Sequence, residues 1–247
     1  MTSNPDLPDG IRPELAAAIE AAWAGLGRPG TWWSGEDRVA IAAEARAAMT
    51  CALCHERKQA LSPLHVAGTH SSTGRLSDAA IDAIHRIRTD AGRLTETWVQ
   101  GLLDQGLTDG EYVEITGIVS TVAAVDTFDR AMGTGQRPLP KIRPGEPSRI
   151  RPKAAVKDLC WVPTLKPDDL RAAYSKPNPG YGADNCHRAL SLVPAEVEAF
   201  FDLDVELYLV DREFAERRAT QARGRAISEA QIEMIAARAA SLNGCFY

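Results

Sequence analysis

Cys51 and Cys54, separated by Ala52 and Leu53, form the strongest chemical signal in the chain. Thr50 reads as an N-cap, which places both cysteines in the first turn of a helix. Unpaired backbone N–H groups and the positive end of the helix dipole stabilise a thiolate there. Two intervening residues let the sulfurs meet across one turn, so the pair can close a disulfide and reopen. One thiolate can attack a peroxide oxygen, become a sulfenic acid and condense with its neighbour. Three other readings compete. A CxxC can be half of a zinc site, but the other half would need a second pair, and Cys160 and Cys186 lack that spacing. Cys51-Ala-Leu-Cys54-His55 also matches the c-type haem attachment pattern, which requires export. Finally, the cysteines can be small buried apolar residues.

Other titratable groups are read against plain structural roles. His55 follows Cys54 and could tune it, but an adjacent helical residue points roughly 100° away, so solvation is an equal reading. His85 lies among Ile81, Ile84 and Ile87, as a core histidine or as a proton shuttle beside the pair. Glu44 precedes Cys51 by two helical turns, yet a break at Thr50 would spoil that register and leave a surface charge. Glu111 and Glu114 open a long helix, where capping accounts for Glu111. His65, His70 and His187 carry no readable constellation.

The elements that must position these groups are helical. Apolar residues make up 45% of the 247 positions and charged residues 25%, ordinary proportions for a globular protein with a core of its own. A net charge of -5 offers nothing to neutralise a phosphate backbone, so a nucleic-acid partner is not expected. No apolar run is long enough to span a membrane. The first ten residues have neither a basic nor an apolar region, so no signal peptide is expected. Five cysteines, an odd number, do not read as a secreted disulfide framework, which makes the cytoplasm the expected location. The spacing predicts helices over 11–26, 36–49 and 51–61. It predicts others opened by Ser77 and Asp78, by Thr95, and by Asp109, the last running from Glu111 to Met132. Apolar faces on that long helix point to an oligomer, at least a dimer.

Nine of the fifteen prolines lie between Thr134 and Gly182, a density that predicts no helix but an extended segment wrapped over the protein or a partner subunit. Cys160 and Trp161 are candidates for pinning it. Helical patterning resumes at Asn185, at Pro194, and at Ser228 and Glu229. The stretch from Arg38 to Cys51 aligns with Ile232 to Cys245, since both are Ala-rich amphipathic helices that stop and then present a cysteine.

These residues resemble the alkylhydroperoxidase D-like family of the carboxymuconolactone decarboxylase-like superfamily. The resemblance covers residues 36–133. It rests on Ile84-His-Arg-Ile-Arg-Thr-Asp90, on Gly106-Leu-Thr-Asp-Gly-Glu-Tyr-Val-Glu-Ile115 and on Val125-Asp-Thr-Phe-Asp-Arg-Ala-Met-Gly133, preceded by the cysteine pair. It implies an all-α, oligomeric, cofactor-free peroxidase or disulfide reductase. Residues 185–247 resemble the opening of a second module. The family motif is Glu-x11-Cys-x2-Cys-x3-His, and Glu233 and Cys245 have its first spacing. The next cysteine would stand at position 248, where some members carry selenocysteine, so the resemblance implies an end at a UGA codon or a cut within the motif. Around the first pair the family Glu falls at Val39 and the family His at Lys58, so the usual relay is missing and His85 or Glu44 would have to replace it.

The resulting expectation is an all-α protein with a lead-in helix over 1–35, an alkylhydroperoxidase D-like module over 36–133, a Pro-rich linker over 134–184 and a partial second module over 185–247. Cys51 and Cys54 would reduce a small peroxide or disulfide and be restored by an external dithiol, with no cofactor and no metal. His85, His55 and Glu44 are the candidate helpers. Cys245 and Glu233 would be the remnant of a second centre. The rivals are a non-catalytic helical assembly protein with buried cysteines, and lactone decarboxylation, which needs no CxxC.

Overall fold

The structure is a computed structural model that describes residues 10–177, 180–209 and 226–245. The described residues form helices joined by loops, with one isolated bridge between Val156 and Thr164 and no strand, so the chain is all-α. Helix starts follow local chemistry. Pro13 sits in the first turn of α1 (Pro13–Gly25) and Ser34 caps α2 (Gly35–Ala47) by accepting the Asp37 N–H. A tight turn over Ala48–Thr50 leads into α3 (Ala52–Gln59). Ser77 caps α4 (Asp78–Asp90), and Thr95 caps α5 (Glu96–Asp104). Thr108 and Glu111 form a reciprocal capping box at the start of α6 (Asp109–Ala131), so the capping role expected of Glu111 is the one it has.

Helix α6 runs through the middle of the fold against α1, α2 and α4. Its Ile115, Ile118, Val119, Val122 and Val125 pack with Ile19, Ile41, Ala45 and Ile84 in one buried cluster. The apolar faces that the sequence reading assigns to oligomer contacts are therefore used inside the chain. Glu114 is buried too, paired with Arg38 of α2.

The Pro-rich segment wraps over the protein itself. Trp23 donates its Nε1–H to the Pro138 carbonyl at 2.9 Å, Arg143 N–H bonds Gly27 O at 2.7 Å, and Ser148 N–H bonds Gly30 O at 3.1 Å. One helix does form there, contrary to expectation: α7 (Pro167–Ala173) starts on a proline, which the first turn accepts, and buries Leu170. Cys160 packs against the body, but Trp161 stays exposed; Val162 and Leu165 do the anchoring. After α8 (Asn185–Arg188), helix α9 (Pro194–Leu207) packs on α1 and α6. Glu196 of α9 closes a buried triad with Arg38, at 2.6 Å, and Glu114. Gly117 makes this approach possible, because a Cβ there would meet Glu196 Oε2 at 2.5 Å. Helix α10 (Glu229–Leu242), by contrast, buries none of its side chains. Among the described residues no helix is long and apolar enough to cross a membrane.

Candidate functional site

The chain turns extended at Cys51, which is itself the N-cap of α3. Thr50, expected in that role, instead donates its hydroxyl to the Ala47 carbonyl at 3.2 Å. Cys54 follows one turn later, and both side chains are buried. Cys51 Sγ accepts the backbone N–H groups of Cys54 and Ser71. Burial would raise this thiol, but those donors and His70 outweigh it and bring it down to about 6.

Two histidines converge on the sulfurs. His85 of α4 places Nδ1 3.2 Å from Cys54 Sγ, and its Nε2 lies 2.8 Å from Glu44 Oε1. Glu44, on α2, is fully buried; its Oε2 accepts the Thr73 N–H at 2.9 Å, the Thr73 hydroxyl at 2.6 Å and the Ser72 hydroxyl at 3.2 Å. His70 arrives from the loop between α3 and α4. Its Nδ1 is 3.5 Å from Cys54 Sγ and 3.6 Å from Cys51 Sγ, and its Nε2 is 2.9 Å from Asp82 Oδ1. Asp82 is held by Arg57 at 2.7 Å and by the Trp98 Nε1–H at 2.7 Å. Each imidazole thus sets Nε2 against a carboxylate and Nδ1 against the sulfurs, and Arg57 Nη1 also stands 3.1 Å from His70 Nε2.

The electrostatics follow from these bonds. Burial would lower His70, but Asp82 and the two sulfurs carry it up to about 10. Burial would raise Asp82, yet His70, Trp98 and Arg57 hold it well below the usual carboxylate range. Cys54 is lowered against its own burial by His70 and His85, and His85 is raised against burial by Cys54 and Glu44. Asp82 keeps about a quarter of its side chain in solvent, Cys51 is fully buried, and Cys54, almost as buried, borders open space. It lines a pocket of about 290 Å³ together with Met49, His55, Lys58, Gln59, Arg88 and Thr89.

Four of the sequence-predicted groups meet here: Cys51, Cys54, His85 and Glu44. His55 does not, since its Nε2 lies 3.0 Å from the Met49 carbonyl, away from the sulfurs. Cys245 and Glu233 do not meet either. Glu233 accepts the Tyr208 hydroxyl at 2.5 Å. Roughly 14 Å of helix axis separates Glu233 from Leu242, and the exposed Cys245 lies beyond. His70, which carries no readable constellation in the sequence, and Asp82, which the sequence does not single out, both stand at the site. The Asp82-Ala-Ile-His85 spacing was one available signal, because it puts a carboxylate and an imidazole on one helix face. Nothing local marks His70. The groups that complete the cluster around Cys51 and Cys54 are imidazoles, where the zinc reading requires a second cysteine pair. Comparison with family models, with curated proteins and with solved structures found no match.

Proposed function

We propose that this chain is a thiol-dependent oxidoreductase of alkylhydroperoxidase D-like character, cycling Cys51 and Cys54 between dithiol and disulfide. The observation that carries the reading is the buried chain Glu44–His85–Cys54, with Cys51 Sγ inside the same cluster of donors. Access decides the roles. Cys54 borders the pocket and touches His85, so its thiolate attacks the terminal oxygen of a hydroperoxide. The O–O bond breaks, and the alcohol leaves with a proton from His85. Cys54 is now a sulfenic acid, two electrons poorer. Cys51, a thiolate held by backbone N–H groups, attacks the Cys54 sulfur and forms the disulfide; the hydroxide displaced takes a proton from His70, whose Nδ1 stands 3.5 Å from that sulfur, and leaves as water. An external dithiol returns the two electrons. Glu44 holds His85 in the tautomer and orientation this requires. Lys58 and Arg88 border the same pocket, and Arg88 Nε has no hydrogen-bond partner among the described residues, which favours an oxidant bearing negative charge.

The test is a thiol count on the reduced full chain after one equivalent of hydroperoxide. Expected are the loss of two thiols of the five and a disulfide mapped by peptide mass to Cys51 and Cys54. Oxidation confined to Cys160, Cys186 or Cys245, with the pair still reduced, defeats the reading.

A further inference from the structure

The geometry points to a metal site: Cys51 Sγ, Cys54 Sγ, His70 Nδ1 and His85 Nδ1 form a four-donor cage for one divalent, thiolate-preferring ion, zinc by its chemistry. The inference stands apart from turnover of the pair, because it needs only reduced sulfurs and neutral imidazoles.

All four donor atoms lie within 4.8 Å of one another. Zn–S bonds of about 2.3 Å and Zn–N bonds of about 2.0 Å at tetrahedral angles separate sulfur from nitrogen by about 3.5 Å. Three of the four sulfur–nitrogen separations are 3.6 Å, 3.5 Å and 3.2 Å, and the fourth, Cys51 to His85, lies within 4.8 Å. A hydrogen-bonded cluster accounts for less. His70 Nδ1 stands almost equidistant from both sulfurs, and one N–H cannot point along both directions. The two rings also pack with centroids 4.2 Å apart, a poor arrangement for two imidazolium cations. A metal lets both rings be neutral and gives one point on which all four lone pairs converge. Two thiolates and one divalent ion sum to zero charge, which suits burial. Each imidazole is backed by a carboxylate on its far nitrogen, Glu44 for His85 and Asp82 for His70. Metal-bound histidines are oriented in this way. Four protein donors leave no open position, so the ion holds structure and protects the thiols; it does not activate water. Metal and disulfide exclude each other, since both use the same two sulfurs.

The test titrates the reduced full chain with Co²⁺ and then Zn²⁺. Expected are one ion per chain, sulfur-to-cobalt charge-transfer absorption, the intense visible bands of tetrahedral cobalt, and displacement by Zn²⁺. Two of the five thiols should become protected from alkylation. A combined Cys160→Ser, Cys186→Ser, Cys245→Ser variant should keep the whole signature. Asp82→Asn, which retains all four donors, should weaken Zn²⁺ binding about 10–100-fold. The wild-type spectrum alone can overturn the inference, with no variant needed. Cobalt bound without thiolate absorption, or no protection of two thiols, ends it. The two readings fail separately. A pair that oxidises to its disulfide while binding no metal removes only the zinc site. A pair that binds zinc but stays reduced under hydroperoxide after chelation removes only the oxidoreductase.

Discussion

Glu44 accepts hydrogen bonds on both carboxylate oxygens, one side facing His85 and the other facing Ser72 and Thr73. It therefore orients the imidazole and ties down the loop that carries His70. Glu44→Gln keeps the shape but can present His85 with an amide N–H, which reverses the polarity of that bond. Oxidation of the pair by hydroperoxide should slow by about 10²-fold, the low end of what acid–base help contributes. His85→Ala should slow it similarly, and the double variant should be little worse than either single one, because the two act as one unit. Stopped-flow thiol oxidation on all three checks this, and additive losses would show independent roles. At this scale the sequence exposes the cysteines through their spacing, and Glu44 and His85 through their places on helices. His70 is invisible for a physical reason. It sits in an irregular loop with no periodicity to assign it a face, and it is brought to the site by contacts with Asp82 and Arg57 and by the hold of Glu44 on Ser72 and Thr73.

Capping chemistry made the elements legible. Ser77, Thr95 and the Thr108–Glu111 box open the helices the spacing predicts. What pattern could not supply is the path of residues 66–77, which is set by side chains from three helices. Arg57 of α3 bonds the Val66 carbonyl at 3.2 Å, Glu44 of α2 holds Ser72 and Thr73, and Arg75 pairs with Glu36 at 2.8 Å near the start of α2. His70 of this loop in turn reaches Asp82 of α4. Leu53 lies directly beneath, and a Cβ on Gly68 would meet its Cδ1 at 2.8 Å, so the backbone crosses there without a side chain. Of these ties the exposed Arg75 pair counts least, since ion pairs in water are worth little. The tie to the buried carboxylate of Glu44 counts most. Thr73→Val removes the 2.6 Å hydroxyl bond to Glu44 while leaving the backbone N–H bond in place. It should cost about 1–3 kcal/mol, the range for a buried polar group losing a partner. Urea unfolding measures it. A change of a few tenths would mean that water or Ser72 takes over the lost bond.

The whole molecule is drawn together by charge as well as by its apolar core. Arg38, Glu114 and Glu196 come from α2, α6 and α9 and lie almost wholly out of solvent. Leu203 of α9 belongs to the same buried cluster as Ile41 and Ile118. The segment after the prolines therefore shares its core with the helices before them, although its sequence reads as the opening of a separate module. The proline density and the renewed helical pattern mark a change of local structure, and no sequence pattern reports that Gly117 leaves room for a carboxylate from far along the chain. Arg38→Met tests the coupling. It leaves Glu114 and Glu196 facing each other without a cation, and breaking a buried pair in this way costs about 3–5 kcal/mol. With one core, α2 and α9 should lose protection together, in a single transition at lower urea. Pulsed hydrogen exchange through the unfolding range reads both helices in one experiment. Early loss of α9 with α2 still protected would mean that the C-terminal part folds on its own and that the triad is only a contact between two units.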